Sequence, residues 1–284
     1  MNHSPHFLHS LTILLSRFTI RPTMIDIHCH LLPGVDDGPR NMDETLAMAR
    51  MAVADGTRGV ICTPHWHPMI WPNEREGIAQ AVSDLRARLD IEKIALEVWA
   101  GSELSLDAEL EDRLAGGRLG TLNGEKWVLL ELPATFVPPG IDDYLWMLRQ
   151  RGHEVVLAHP ERYAYIQTDP ARLQAWVEMG VAVQITASSL LGRLGPEVSA
   201  LCRVLLEHRL VHFLASDGHG TRSRRPMLGQ ALRAAAEVAG SQPARRLVAE
   251  HPESVVRGEP LDLRDYAPMA LPRKKRPWFR FFGK

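Results

Sequence analysis

From Met24 onward the chain alternates short, nearly all-apolar runs with mixed stretches that end in glycine or proline. The first run is Met24-Ile25-Asp26-Ile27-His28-Cys29-His30. The pattern predicts six further strands, over Arg58–Thr63, Ile94–Ala100, Trp127–Leu132, Glu154–Ala158, Val181–Thr186 and Val211–Ala215. Strands this apolar on both faces belong in a parallel sheet covered by helices. Helical stretches fall between them, at Asn41–Asp55, Glu74–Leu89, Asp107–Leu114, Asp142–Arg151, Pro170–Met179, Glu197–His208, Met227–Ala239 and Pro243–Glu250. Asn41 is a suitable N-cap, with Glu44 three residues on and Gly56 as a stop. Seven strand-then-helix units predict a closed or distorted barrel, with a doubly wound open sheet as the alternative.

A barrel places its chemistry where the strands end. His28 and His30 leave the first strand on one face, because residues i and i+2 project together. Asp36 and Asp37 follow in its loop. The second strand runs into His65 and His67, and the third into Glu103. The fourth carries Glu131, the fifth ends in His159-Pro160-Glu161-Arg162-Tyr163, and the seventh ends in Ser216-Asp217-Gly218-His219. The sixth has only Ser188 and Ser189 to offer. Each residue alone has an ordinary reading: His65 as a cap, Asp36 as a turn residue, Glu103 as solvated, His159 as packing. Six of seven strand ends bearing His, Asp or Glu is harder to explain that way, because charged groups are rarely buried unpaired. A metal is the simplest cause. Imidazole and carboxylate ligands without thiolates suit zinc, manganese or iron. Cys29, between the two histidines, faces the opposite side and reads as core.

Composition narrows the classes. The chain has 284 residues, 45% hydrophobic and 24% charged, with a net charge of −1. That is an ordinary globular balance with no global basic field for nucleic acid. Three widely spaced cysteines argue against a disulfide framework and fit a reducing cytoplasm. Residues 1–23 read as a dispensable extension, with Met24 as a plausible translation start. Their apolar part, Phe7–Ile20, is too short to span a bilayer. Residues 24–256 form the barrel and 257–284 a tail. The tail's end, Arg273–Lys284, carries six basic residues among four aromatics, which suits peripheral contact with an anionic membrane; the plain alternative is a solvated end.

The segments DIHCHLLPGVDDGP, TPHWHP, AGSEL, VLLELP, LAHPERY and ASDGHGTRSRRP occur in that order between Met24 and Val256. With them the chain resembles the PHP (polymerase and histidinol phosphatase) metal-dependent phosphoesterases. Within these it is most similar to the CpsB-type tyrosine-protein phosphatases of capsule and exopolysaccharide biogenesis. The resemblance implies a distorted (β/α)7 TIM-like barrel with three divalent ions, manganese first among the candidates and zinc or iron next. By position it assigns His28, His30, Glu103 and Asp217 to one ion. Glu103 would bridge to a second ion held also by Glu131 and His159, and Asp37, His65 and His219 would hold a third. Arg162 and Arg225 would grip the substrate phosphate, with Arg222 and Arg224 close in sequence. His67 is a substrate-facing candidate. The implied substrate is a phosphotyrosine protein, in particular a membrane-bound tyrosine kinase of polysaccharide synthesis.

The expected chemistry is in-line attack on phosphorus by a metal-activated hydroxide. A cysteine phosphatase is excluded, because it needs arginine six residues after the nucleophile. Those positions hold Val35, Pro68 and His208. Two alternatives stay open: a small-molecule phosphatase such as histidinol phosphatase, and a non-catalytic docking module of a polysaccharide assembly machine.

Overall fold

The computed structural model describes residues 23–269. Its strands are β1 (Met24–Cys29), β2 (Thr57–Cys62), β3 (His65–Trp66), β4 (Glu97–Ala100), β5 (Glu103–Ser105), β6 (Trp127–Glu131), β7 (Glu154–Ala158), β8 (Ala182–Thr186) and β9 (Phe213–Ala215). The helices are α1 (Met42–Asp55), α2 (Arg75–Ile91), α3 (Leu110–Ala115), α4 (Ile141–Gln150), α5 (Ala164–Thr168), α6 (Ala171–Glu178), α7 (Ala187–Leu190), α8 (Pro196–Glu207), α9 (Gly229–Ala239), α10 (Ser241–Arg246) and α11 (Glu250–Val256). Helix α1 starts where sequence chemistry places it. Asn41 Oδ1 accepts from the Glu44 amide at 3.0 Å, and Gly56 closes the helix in the left-handed region.

Every paired strand is parallel. One sheet runs β1-β2-β4 and the other β3-β5-β6-β7-β8-β9. The two are one surface interrupted by a kink. Cys62 pairs with Ala100 and His65 with Glu103, so the register is unchanged across the break. The Gly101 amide donates to Cys62 O at 2.9 Å and the Glu103 amide to Pro64 O at 3.1 Å. Pro64 has no N–H to give the ladder, and the regular pattern lapses there. Thus β2 with β3, and β4 with β5, make two bent staves of a seven-stave distorted barrel.

The barrel closes between β9 and β1. The Asp217 amide donates to His28 O at 2.8 Å, and the His30 amide to Gly218 O at 2.9 Å. Lower down the two strands diverge. Ile25 N donates instead to Val248 O and Leu214 N to Leu247 O. That is why the expected helix over Pro243–Glu250 is split into α10 and α11: the chain unwinds at Leu247 and Val248 to lend carbonyls to the seam. Between these levels the buried Asp26 carboxylate bridges the strands. Its Oδ1 accepts from Ser216 N at 3.0 Å and from His28 N at 3.3 Å.

The strands are buried on both sides, as their composition requires. Val128, Leu129, Leu130, Val156, Leu157, Val183 and Ile185 belong to one core. Cys29 packs in a second, with Val60, Cys62, Val98 and the inward faces of α1 and α2. After α11 the chain stays against the barrel: Ala267 N donates to His208 O, and Met269 N to Gln174 Oε1. Among the described residues no helix is long and apolar enough to cross a membrane. The extension over residues 1–22 and the basic, aromatic end from Arg273 lie outside the described residues.

Asp26→Ala leaves two buried amides at the seam without an acceptor. Each such loss costs about 1–3 kcal/mol. The variant should therefore unfold at lower urea concentration, with a stability loss of roughly 2–6 kcal/mol in total, while Asp26→Asn, which keeps an oxygen, loses less.

Candidate metal centre

The barrel mouth gathers side chains from most of its strands around one carboxylate. Glu103 is fully buried at the start of β5. Its Oε2 lies 3.1 Å from His28 Nε2, 3.2 Å from His30 Nε2 and 3.1 Å from His65 Nδ1. Its Oε1 lies 2.8 Å from His159 Nε2. Asp217, nearly as buried, adds Oδ1 at 3.4 Å from His28 Nε2 and 3.5 Å from His30 Nε2. Asp37 Oδ1 stands 3.1 Å from His219 Nε2 and 3.6 Å from His65 Nε2. Glu131 Oε1 is 3.9 Å from His159 Nε2.

All nine side chains expected at the metals therefore share this mouth. Their donor atoms fall into three overlapping groups, each able to hold a cation: His28, His30, Glu103 and Asp217; His30, Asp37, His65 and His219; and His65, Glu103 and Glu131. His159 joins the last group through its contact with Glu103. The grouping differs in detail from the expected sets. His30 and His65 each stand at the junction of two groups.

The donors fit metal ions better than they fit one another. Glu103 Oε2, His65 Nδ1 and His219 Nε2 are buried and make no hydrogen bond of acceptable geometry despite their short contacts. Burying a carboxylate costs several kcal/mol unless positive charge lies beside it. Here protons and guanidiniums supply that charge. Burial opposes protonation of His30, yet Asp36 and Glu103 raise it to about 10. Burial likewise disfavours charged His28, but Glu103 and Asp217 push it upward. Against burial, His28, Arg162, His159 and Arg224 hold Asp217 well below the ordinary carboxylate range. Burial and the neighbouring Glu103 charge raise Glu131. Burial depresses His65 to about 4, leaving it neutral with one ring nitrogen free to bind a cation.

Further contacts behind these side chains aim them into the mouth. Gln184 Oε1 accepts from His28 Nδ1 at 2.9 Å, which turns Nε2 toward Glu103. Asp36 Oδ2 takes His30 Nδ1 at 2.6 Å and the His65 amide at 3.0 Å. Trp71 stacks on the His65 ring, 4.8 Å between centroids. The Tyr163 hydroxyl donates to Ala158 O and accepts from Leu132 N, tying the ends of β7 and β6 together. Two of these candidate ligands sit in the left-handed region, His159 at φ 35° and Asp217 at φ 51°. That conformation costs about 1–2 kcal/mol per residue with a Cβ, and it is held here by the barrel.

The arginines divide by position. Arg162 forms an ion pair with Asp217 Oδ2 at 2.7 Å and donates to Thr186 Oγ1 at 3.0 Å. Arg224 donates to both Asp217 oxygens, at 2.9 and 3.0 Å. Arg225, the residue expected at the phosphate, turns its Nε to Arg222 O and is exposed at the rim. His67 lies in a tight turn, accepting from Met69 N at 3.2 Å. Sequence reasoning missed the roles of Asp26, Gln184 and Thr186, and gave Asp36 none. A glutamine inside the otherwise apolar run VAVQIT was the available signal, since a buried amide demands a partner.

Comparison with known proteins agrees with this architecture. The family model for capsular polysaccharide synthesis, CpsB/CapC, matches residues 24–257. The tyrosine-protein phosphatase YwqE of Bacillus subtilis is 36% identical over 259 residues, covering 91% of this chain and all of that one. CpsB of Streptococcus pneumoniae, also a tyrosine-protein phosphatase, is 28% identical over 82% of this chain and 98% of its own. A crystal structure from a study of YwqE and CpsB as metal-dependent tyrosine phosphatases superposes with a TM-score of 0.83 at 37% identity, over 87% of this chain and all of the other. The phosphotriesterase homology protein of Escherichia coli, at 12% identity and a TM-score of 0.54, shares the barrel fold. The chain belongs to the CpsB/CapC family of capsular polysaccharide synthesis proteins.

Proposed function

We propose that this chain is a metal-dependent protein-tyrosine phosphatase acting on a phosphorylated tyrosine kinase of polysaccharide synthesis. The observation that carries the reading is the convergence of four imidazoles on the buried Glu103, with Asp217 beside it. Relatives covering nearly the whole chain carry the same activity in their names.

In this reading His28, His30, Glu103 and Asp217 hold one divalent ion. Glu103, Glu131 and His159 hold a second, and Asp37, His65 and His219 a third. Manganese is the first candidate, with zinc or iron next. Bound there, such ions supply Lewis acidity for a phosphoryl oxygen and lower the pKa of a water. The protein's own groups do the rest. Gln184 fixes the His28 tautomer by accepting at Nδ1, and Asp36 does the same for His30. Glu161 accepts from the Thr186 amide and hydroxyl. Thr186 in turn accepts from Arg162, so the guanidinium is held at the mouth. Arg162, with Arg225 on the facing rim, would neutralise phosphoryl oxygens through planar paired contacts. His67 lies where the substrate would approach. We further propose that the enzyme works in the cytoplasm, a reading supported by its three free, buried cysteines, and that the basic, aromatic sequence Arg273–Lys284 makes peripheral contact with an anionic membrane.

The cysteines take no part. Cys29, Cys62 and Cys202 are buried, and burial raises each thiol above its ordinary range. Thiol alkylation of the native enzyme should therefore leave activity intact, whereas chelation should abolish it and added manganese restore it. The opposite pair of results contradicts the mechanism.

The carboxylate behind His30 gives a second expectation. Removing an outer partner of a metal ligand typically costs 10- to 100-fold in affinity. Asp36→Ala should weaken metal retention by about that factor, measured by competition with a chelator, and retention equal to wild type counts against it.

The substrate class is decided by turnover. The reading expects kcat/KM on a phosphotyrosine tail peptide to exceed that on histidinol phosphate by at least about tenfold with the same metal. The reverse order makes the chain a small-molecule phosphatase. No turnover of either with manganese, zinc or iron makes it a docking module.

A further inference from the structure

Two cavities flank the segment from Arg222 to Arg224, and they differ in charge. One is lined by Asp37, Arg40, Glu44, His219 and the segment itself, so its cations face carboxylates. The other is lined by Arg162, Ser188, Arg193, Leu194 and Arg222 to Arg225. It presents five guanidiniums and no acidic residue. Arg162 and Arg224 reach from its inner wall to Asp217 at the metal centre. The outer wall is different. Arg193, Arg222 and Arg225 are exposed and, among the described residues, form no ion pair. Arg193 makes one long contact, to Ser223 O at 3.5 Å. Elsewhere on the surface Arg40, Arg50 and Arg209 have carboxylate partners, while Arg203, Arg233 and Arg245 are exposed without an ion pair among the described residues; what sets this wall apart is the crowding of five guanidiniums in one cavity.

Like charges crowded into one concave wall repel; Asp217 offsets Arg162 and Arg224, whereas among the described residues no carboxylate lies within ion-pair distance of Arg193, Arg222 or Arg225. Their arrangement is useful when an anion arrives from outside. Guanidinium is the side chain best shaped for carboxylate and phosphate, which it meets through paired N–H donors. Leu194, 47% exposed, gives the same wall an apolar contact that an inorganic ion would not need. This combination suits a side chain on a peptide.

We propose that Arg193 and Arg222 form a second anionic subsite, outside the phosphate grip. It takes a carboxylate or phosphate side chain within a few residues of the scissile phosphotyrosine. The inference rests on the phosphatase reading and narrows its substrate to acidic or multiply phosphorylated segments. The subsite adds no chemical step. It binds the flanking residue and so acts on KM more than on kcat.

The test compares three phosphotyrosine peptides with neutral, glutamate or second-phosphotyrosine flanks, using the manganese-loaded enzyme and R193Q/R222Q. p-Nitrophenyl phosphate serves as a substrate without flanks. Wild type should favour at least one anionic peptide over the neutral one by about tenfold in kcat/KM, mainly through KM. In R193Q/R222Q that ratio should fall to within about twofold of unity. Comparing the glutamate and phosphate arms identifies which anion the subsite takes. A wild-type ratio near one overturns the inference while turnover of p-nitrophenyl phosphate leaves the phosphatase reading standing. A preference that survives in the double variant also overturns it, since the anion is then read elsewhere. No turnover of any of the four substrates overturns the phosphatase reading and this inference together.

Discussion

Glu103 is the residue on which the site depends. A carboxylate with no solvent exposure must have positive charge at its oxygens or lose its own charge. This one has imidazoles at 2.8 to 3.2 Å on both oxygens, drawn from β1, β3 and the end of β7. No single element could supply them. The bend at Pro64, Gly101 and Ser102 brings Glu103 level with His65 and within 3.2 Å of the His28 and His30 rings. The kink that breaks the sheet pattern is therefore also what puts a carboxylate at the centre of the mouth.

Closure of the barrel does the complementary work. The β9–β1 seam is zipped at its top by backbone bonds between His28 or His30 and the Asp217–Gly218 segment. The same residues that would hold a metal also join the first strand to the last. Asp26, Gln184 and Asp36 extend this coupling from three directions. Ligand geometry and barrel closure are thus one structural problem, and the left-handed conformations of His159 and Asp217 are the strain tolerated to solve it.

Much of this was legible in the sequence, for physical reasons. Parallel strands buried on both faces must be apolar, so seven such runs mark seven staves. Their polar ends then stand out, and these led directly to His28, His30, His65, Glu103, Glu131, His159, Asp217 and His219. The less legible parts depend on long-range pairing. The unwinding at Leu247 and Val248 is dictated by β9 and β1, and nothing local in Pro243–Glu250 announces it. Gln184 acquires meaning only when β8 comes to face β1. The division of labour among Arg222, Arg224 and Arg225 depends on a loop path that residue order does not fix. Arg224 lies against Asp217 while Arg225 faces outward, a difference of one residue in a run rich in arginine.

The central claim is that Glu103 joins the ligand groups into one multinuclear site. Anomalous diffraction from crystals of the manganese-loaded protein tests it most directly. The account predicts separate metal peaks at the three groups, each about 2 Å from its donor atoms, with Glu103 oxygens bound to more than one peak. A single peak, or metal bound elsewhere while Glu103 keeps only its histidine contacts, would contradict it.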